Sequence, residues 1–141
     1  MKPVAAIILR PLFDTKLIRN EKLKDRNTNP HFDLKTNDST KVGNHFGTNH
    51  VTLDISGVSD DIFKVTPEAN GTISVSGRDS KQPVVVGEPS GCAFLGLGQT
   101  KETSLSDNQS YTLSVDKAII TIHDKHGASL DFELLVRRAA K

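Results

Sequence analysis

Tryptophan is absent, tyrosine and cysteine occur once each, and phenylalanine occurs six times in 141 residues. So few rings count against a surface that stacks sugars or unpaired bases, because such surfaces draw on Trp and Tyr. With Cys92 alone, an internal disulfide framework is excluded and nothing marks an oxidising compartment. No apolar run approaches the roughly eighteen residues that a membrane-spanning helix requires. The opening run Ala5 to Leu9 is cut by Arg10 and Pro11, and no small-x-small cleavage site follows, so an export signal is not expected.

Net charge is also small, +1 from 18 Lys/Arg against 17 Asp/Glu, but it is unevenly placed. Residues 1–50 hold nine Lys/Arg against five Asp/Glu, whereas residues 51–141 hold nine against twelve. A basic first third on a mildly acidic remainder suits an acidic partner or a neighbouring copy. The density is too low to single out nucleic acid. The sequons at Asn37, Asn70 and Asn108 are what chance supplies in a chain this rich in Asn, Ser and Thr.

What is there reads as β-structure. Residues 3–13 suit one strand, with Val4, Ile7 and Ile8 β-branched, and Pro3 and Pro11 assign it to an edge or to a partner's surface. From Asp14 to Arg26 the pattern is charged, with Leu17, Ile18 and Leu23 as a short apolar face. Residues 27–47 are polar, with Phe32, Leu34, Val42 and Phe46 as isolated anchors, the composition of a long loop or extended arm. From residue 48 strict alternation begins. Strands are expected at 51–55, 62–65, 72–75, 83–87, 92–98, 111–115, 118–122 and 130–136, with turns at Asn70-Gly71 and at His123 to Gly127. The expected fold is therefore all-β: an antiparallel β-sandwich, Ig-like or jelly-roll-like, over residues 48–141, behind a basic extended N-terminal arm over residues 1–47. A small closed barrel is the structural alternative.

Val51 to Gly57, Phe63 to Pro67 and Gly71 to Val75 resemble the opening strands of immunoglobulin-like domains of phage virion and bacterial surface proteins. The cysteine pair and core Trp of true immunoglobulin domains are missing. The resemblance implies a binding or structural module and carries over no functional residue.

Candidate chemistry is sparse. His123 and His126, with Asp124 and a distant His45 or His50, have metal-ligand types without a metal-ligand spacing, and a solvated turn is the simpler reading. Gly96 to Lys101 lacks the Gly-Lys-Ser/Thr run and following helix of a phosphate loop. Cys92 opens an apolar stretch with no histidine near it in sequence, although a fold could bring His31 or His126 to it. Ser59-Asp60-Asp61, with Asp54 and Asp79, has the oxygens but not the rhythm of a calcium loop. Arg137-Arg138 suits an acidic partner or a soluble terminus.

The expectation is a non-enzymatic structural protein with no cofactor, metal or membrane partner. It would be a subunit of a repeating assembly such as a phage virion coat or decoration protein, homo-oligomeric or docked on a capsid-type lattice. Its arm would lay Val4, Ile7, Ile8, Leu9, Phe13, Phe32, Leu34 and Phe46 on neighbouring subunits. The alternative is a carbohydrate- or receptor-binding sandwich using loops 87–91 and 123–127.

Overall fold

In the computed structural model, which describes residues 2–19, 22–78, 82–89 and 100–139, the chain forms two packed sheets. Strands β1 (Val4–Pro11), β2 (Phe32–Leu34), β7 (Val84–Pro89), β8 (Thr100–Leu105), β10 (Lys117–His123) and β11 (Ser129–Arg138) make a six-stranded sheet. Its order is β2-β1-β11-β10-β7-β8. Strands β3 (Thr40–Gly43), β4 (Val51–Thr52), β5 (Phe63–Pro67), β6 (Ile73–Gly77) and β9 (Ser110–Thr112) make a five-stranded sheet in the order β4-β3-β5-β6-β9. All the neighbours pair antiparallel except β3 and β4.

The alternation in sequence becomes alternation in burial, because successive side chains leave a strand on opposite faces. In β10 Ala118, Ile120 and Ile122 point inward, and in β11 Phe132, Leu134 and Val136 do the same. Val42, Phe63, Val65, Ile73 and Val75 meet them from the other sheet. The rings of Phe63 and Phe132 touch edge-on across the core with centroids 5.6 Å apart, and Phe13 closes on the other side of Phe132 at 5.1 Å. Gly71, at φ +89°, takes the left-handed position that the Asn70-Gly71 turn requires, and Asp124 closes the β10–β11 hairpin by accepting from the amides of His126 and Ala128.

The first 47 residues are not an arm. β1 lies inside the six-stranded sheet, paired with β11 from Val4↔Arg138 to Pro11↔Phe132 and with β2 through Ile7, Ile8 and Leu9. Pro3 and Pro11 are compatible with this interior place because β2 reaches only residues 7–9, leaving both prolines outside the doubly paired stretch. Asp14 caps a single 3-10 turn at Thr15–Leu17, after which Ile18 bridges to Leu53 and is buried. The expected strand at 92–98, Cys92 and the Gly96 to Lys101 run as a whole fall outside the described residues, although β8 includes Thr100 and Lys101.

One inward position of β7 carries a charge. Glu88 is buried, continuing the inward row of Val84 and Val86. Its carboxylate accepts from the Tyr111 hydroxyl at 2.7 Å, the Ser114 amide at 2.6 Å and the Ser114 hydroxyl at 2.8 Å, joining the end of the six-stranded sheet to β9 and the loop after it. Burial pushes the Glu88 carboxyl upward, but the hydrogen bonds from Tyr111, Ser114 and Val115 outweigh it and hold the group below its ordinary value of 4.5. The same bond raises the Tyr111 hydroxyl above its ordinary 10.0.

Two outcomes follow. A chain beginning at Thr48 loses the buried Ile7, Leu9, Phe32, Leu34 and Val42. At about 1.5–3 kcal/mol for each side chain, that loss approaches the whole net stability of an ordinary domain. Circular dichroism should show no cooperative melt, and a folded trimmed monomer would contradict the topology. Glu88→Gln should cost about 1–2 kcal/mol at pH 7, because the bonds to a charged acceptor are the stronger ones. Since the folded carboxyl is depressed, its contribution is complete above pH 4.5 and is lost as pH falls through the folded value. Denaturant melts should therefore show the gap between wild type and variant closing in acid; a gap that is constant or widens there would refute the clamp.

Candidate functional site: a basic recess beside the connecting loops

Three connections meet at one end of the five-stranded sheet, and small polar residues hold them together. Gly43 ends β3 so close to the next connection that a Cβ would stand 2.0 Å from the Asp60 carbonyl oxygen and 2.7 Å from Asn49 Nδ2. Only glycine allows that approach. The Asn44 side chain donates to the carbonyls of Ile55 at 2.6 Å and Val58 at 3.0 Å, and accepts from the Ile55 amide. Asn49 donates to the carbonyls of His45 at 3.0 Å and Asp60 at 2.7 Å, and accepts from Arg78 Nη1. Arg78, where the chain leaves β6, completes the set by donating from Nη2 to Asp61 at 2.7 Å. Residues 44–50, 53–62 and 78 are thereby joined by side-chain bonds rather than left as separate loops.

Beside this knot, on the outward face of the sheet, lies a recess of about 400 Å³. Lys41 of β3 stands directly opposite Lys64 of β5, Lys64 opposite Ser76 of β6, and Ser76 opposite Ser110 of β9. The two serine hydroxyls are 2.8 Å apart. Arg78 and Asp61 form one wall, and Asp107 and Asn108 another. Among the described residues neither lysine ammonium lies within ion-pair distance of a carboxylate, since Asp61 is taken by Arg78. Like charges facing each other across an antiparallel pair are destabilising. The arrangement can place two cations, and the one hydroxyl proton not used between Ser76 and Ser110, around one anionic group.

A second hollow, of about 380 Å³, lies on the other flank of the β3–β4 loop, lined by Arg19, Lys22, Phe46, Asn49, His50 and Thr52. His50 Nδ1 accepts from the Lys41 amide at 3.0 Å. Its Nε2 stands 3.3 Å from Lys35 Nζ. Burial foremost, then the charges of Lys35, Lys41 and Lys22, hold the imidazole below its ordinary 6.5, against a weaker pull from Asp38.

The eight residues expected to dock on neighbours are scattered by the fold. Ile7, Leu9, Phe32 and Leu34 are core, Val4 and Phe13 pack against it, and Ile8 is half-buried on the outer face of the six-stranded sheet. Phe46 alone of them is exposed, at 72%. Among the described residues no group of three metal-ligand side chains assembles. Asp124 shapes its turn, Asp54 pairs with Arg19, Asp61 pairs with Arg78, and Asp79 lies outside the described residues. Arg138 is tied to Asp116 and to the carbonyls of Lys2 and Gly71, leaving Arg137 exposed. Lys41, Lys64, Ser76, Ser110 and Arg78 were not singled out by sequence. Outward lysines and serines on strands are ordinary, and only the register of β3, β5, β6 and β9 brings them together.

Among the described residues no helix is long and apolar enough to cross a membrane. No known family model matches the sequence, and no curated protein matches it significantly. Solved structures do match. An engineered FHA with a Myc-pTBD peptide aligns over 96% of this chain and 94% of its own, with a TM-score of 0.62 and 13% identity. The solution structure of the FHA domain of an Arabidopsis thaliana hypothetical protein aligns over 99% and 91%, with a TM-score of 0.60 and 14% identity. These neighbours replace the resemblance to immunoglobulin-like domains of phage and bacterial surfaces. With it goes the reading as a virion coat or decoration protein on a capsid lattice, whose docking arm is in fact three strands of the sandwich. The fold of this chain is the β-sandwich of FHA domains.

Proposed function

We propose that this chain is a non-enzymatic protein-interaction module that binds a phosphorylated segment of a partner protein and takes the phosphate in the recess between Lys41 and Lys64. The observation that carries the reading is that facing lysine pair, set over the Ser76 and Ser110 hydroxyls, on a chain with the fold of FHA domains. That fold is a phosphopeptide-binding one, and one of the matched structures was solved with a peptide.

A phosphomonoester carries about −1.5 to −2 charge at neutral pH and three acceptor oxygens. It matches two ammonium groups in charge, and its oxygens can accept from them and from the one serine proton that the Ser76–Ser110 bond leaves over. An anion there also removes the repulsion between Lys41 and Lys64, so part of the binding energy is relief of a strain built into the empty site. Arg78 serves by position: its guanidinium is spent on Asp61 and Asn49, and it holds the rim in place. The binding-module alternative is thus kept in its protein-partner form. Its carbohydrate form gains no support from the recess, whose described lining includes no aromatic ring.

Titration calorimetry with phosphothreonine and phosphoserine peptide pools and their unphosphorylated counterparts tests the reading. Phosphorylated peptides should bind and unphosphorylated ones should not, with affinity falling as salt rises. Lys41→Ala and Lys64→Ala should each weaken binding about tenfold, or about 1.4 kcal/mol. Neither should lower the melting temperature, since each removes a repulsion. Equal binding of unphosphorylated peptides, or phosphopeptide binding untouched by both variants, would sink the proposal.

A further inference from the structure

On the outward face of the five-stranded sheet, β9 carries two exposed hydroxyls, Ser110 and Thr112, and the register sends them to different surroundings. Ser110 stands opposite Ser76 and lines the basic recess. Thr112 stands opposite Ser74 and lines a separate hollow of about 500 Å³, whose described lining includes one charged group, Glu68.

Ser110 is the reachable member of its pair. Ser76 is buried, whereas residues 106–110 are exposed without a break. β9 stands last in the order of its sheet, so among the described residues it is paired on one side only, with β6. The turn before it is held to that same side, where the Gly77 amide donates to Gln109 and the Asn108 amide donates to Gly77. An exposed polar segment running into an open sheet edge offers an enzyme an extended stretch of chain.

The charge of the recess makes a modification at Ser110 consequential. The described lining holds three cations, Lys41, Lys64 and Arg78, against two carboxylates, Asp61 and Asp107, a net of +1. A phosphate on Ser110 brings about −1.5 to −2, which turns the recess negative. Lys64 lies two strands away, about 10 Å between backbones at the ordinary strand spacing, a gap that a lysine side chain and a phosphoserine together can close. Between them is Ser76, whose hydroxyl is already 2.8 Å from the Ser110 oxygen and can donate to the phosphate.

We infer that Ser110 is a phosphorylation site through which the chain's own phosphate closes the recess. The inference rests on the phosphopeptide reading and supplies its regulation. In the step, a protein kinase transfers the terminal phosphoryl group of a nucleoside triphosphate: the Ser110 oxygen bonds phosphorus, the bond to the departing nucleoside diphosphate breaks, and the hydroxyl proton passes to the base of the kinase. The new phosphate occupies the cations that a partner's phosphate would take. A phosphate on Thr112 faces Glu68 instead and leaves the recess open.

The test uses the full chain in three forms: unmodified, with phosphoserine incorporated at position 110, and with phosphoserine incorporated at position 112. Calorimetry with one phosphothreonine peptide should show a loss of about tenfold or more for the 110 form and less than about twofold for the 112 form. Phosphorus NMR should find the phosphate at 110 titrating below its ordinary value of about 6, and returning to it in Lys64→Ala. The unmodified chain, incubated with ATP and purified basophilic and acidophilic serine/threonine kinases, should gain phosphate on Ser110 by mass spectrometry. Peptide binding unchanged in the 110 form, equal losses in the 110 and 112 forms, or no phosphate on Ser110 from any of the kinases would overturn the inference and leave the phosphopeptide reading standing. No phosphopeptide binding by the unmodified chain would sink that reading. In that event a Lys64-dependent lowering at position 110 would still uphold the hold of the recess on phosphorylated Ser110, and an ordinary value there would overturn both.

Discussion

The pairing of the first strand with a later one, β1 with β11, is the constraint on which the rest of the sandwich depends. β1 sits between β11 and β2, so β2 has no place in the sheet without it, and the inward rows of β10 and β11 lose Ile7 and Leu9 as neighbours. Arg138 reinforces this closure by bonding the Lys2 and Gly71 carbonyls. Because the paired residues are far apart in sequence, the sheet is completed only when both are in place, as in other folds dominated by non-local contacts. The five-stranded sheet then packs on it through Phe63 and Phe132, and its connections are presented at one end.

At that end the side chains that hold the connections are distinct from those proposed to bind. Asn44, Asn49, Asp61 and Arg78 spend their hydrogen bonds on one another and on backbone carbonyls, with Gly43 allowing the close approach. Lys41 and Lys64 take no part in that knot and project from the sheet beside it. A scaffold fixed by bonded polar groups, carrying cations whose own neighbours repel them, is preorganised for an anion. The basic excess of the first fifty residues finds its place at this end too: Arg19 and Lys22 line the hollow beside His50, Lys35 stands against His50, and the Lys41 side chain lines the recess.

The sandwich itself was legible where alternation runs for several residues, as in β5, β6, β10 and β11, and where turn chemistry is strong, as at Asn70-Gly71 and around Asp124. It was not legible in the first 47 residues. β2 and β3 have only three and four residues, separated by long polar connections, so their buried Phe32, Leu34, Thr40 and Val42 look like isolated anchors. β4 pairs parallel to β3, which sequence pattern does not signal. The prolines of β1 argued for an edge, and the shortness of β2 is what admits them to the interior. The site was hidden for a related reason. Lys41 and Lys64 are unremarkable outward residues until register sets them face to face.

The most direct measurement of the central claim is the nitrogen resonance of the lysine ammonium groups during titration with a phosphothreonine peptide. The account predicts that Lys41 and Lys64 shift together and before the other lysines, with slowed exchange of their ammonium protons as the phosphate oxygens bind. Shifts confined to lysines elsewhere on the sandwich, or no lysine response while the peptide binds, would contradict it.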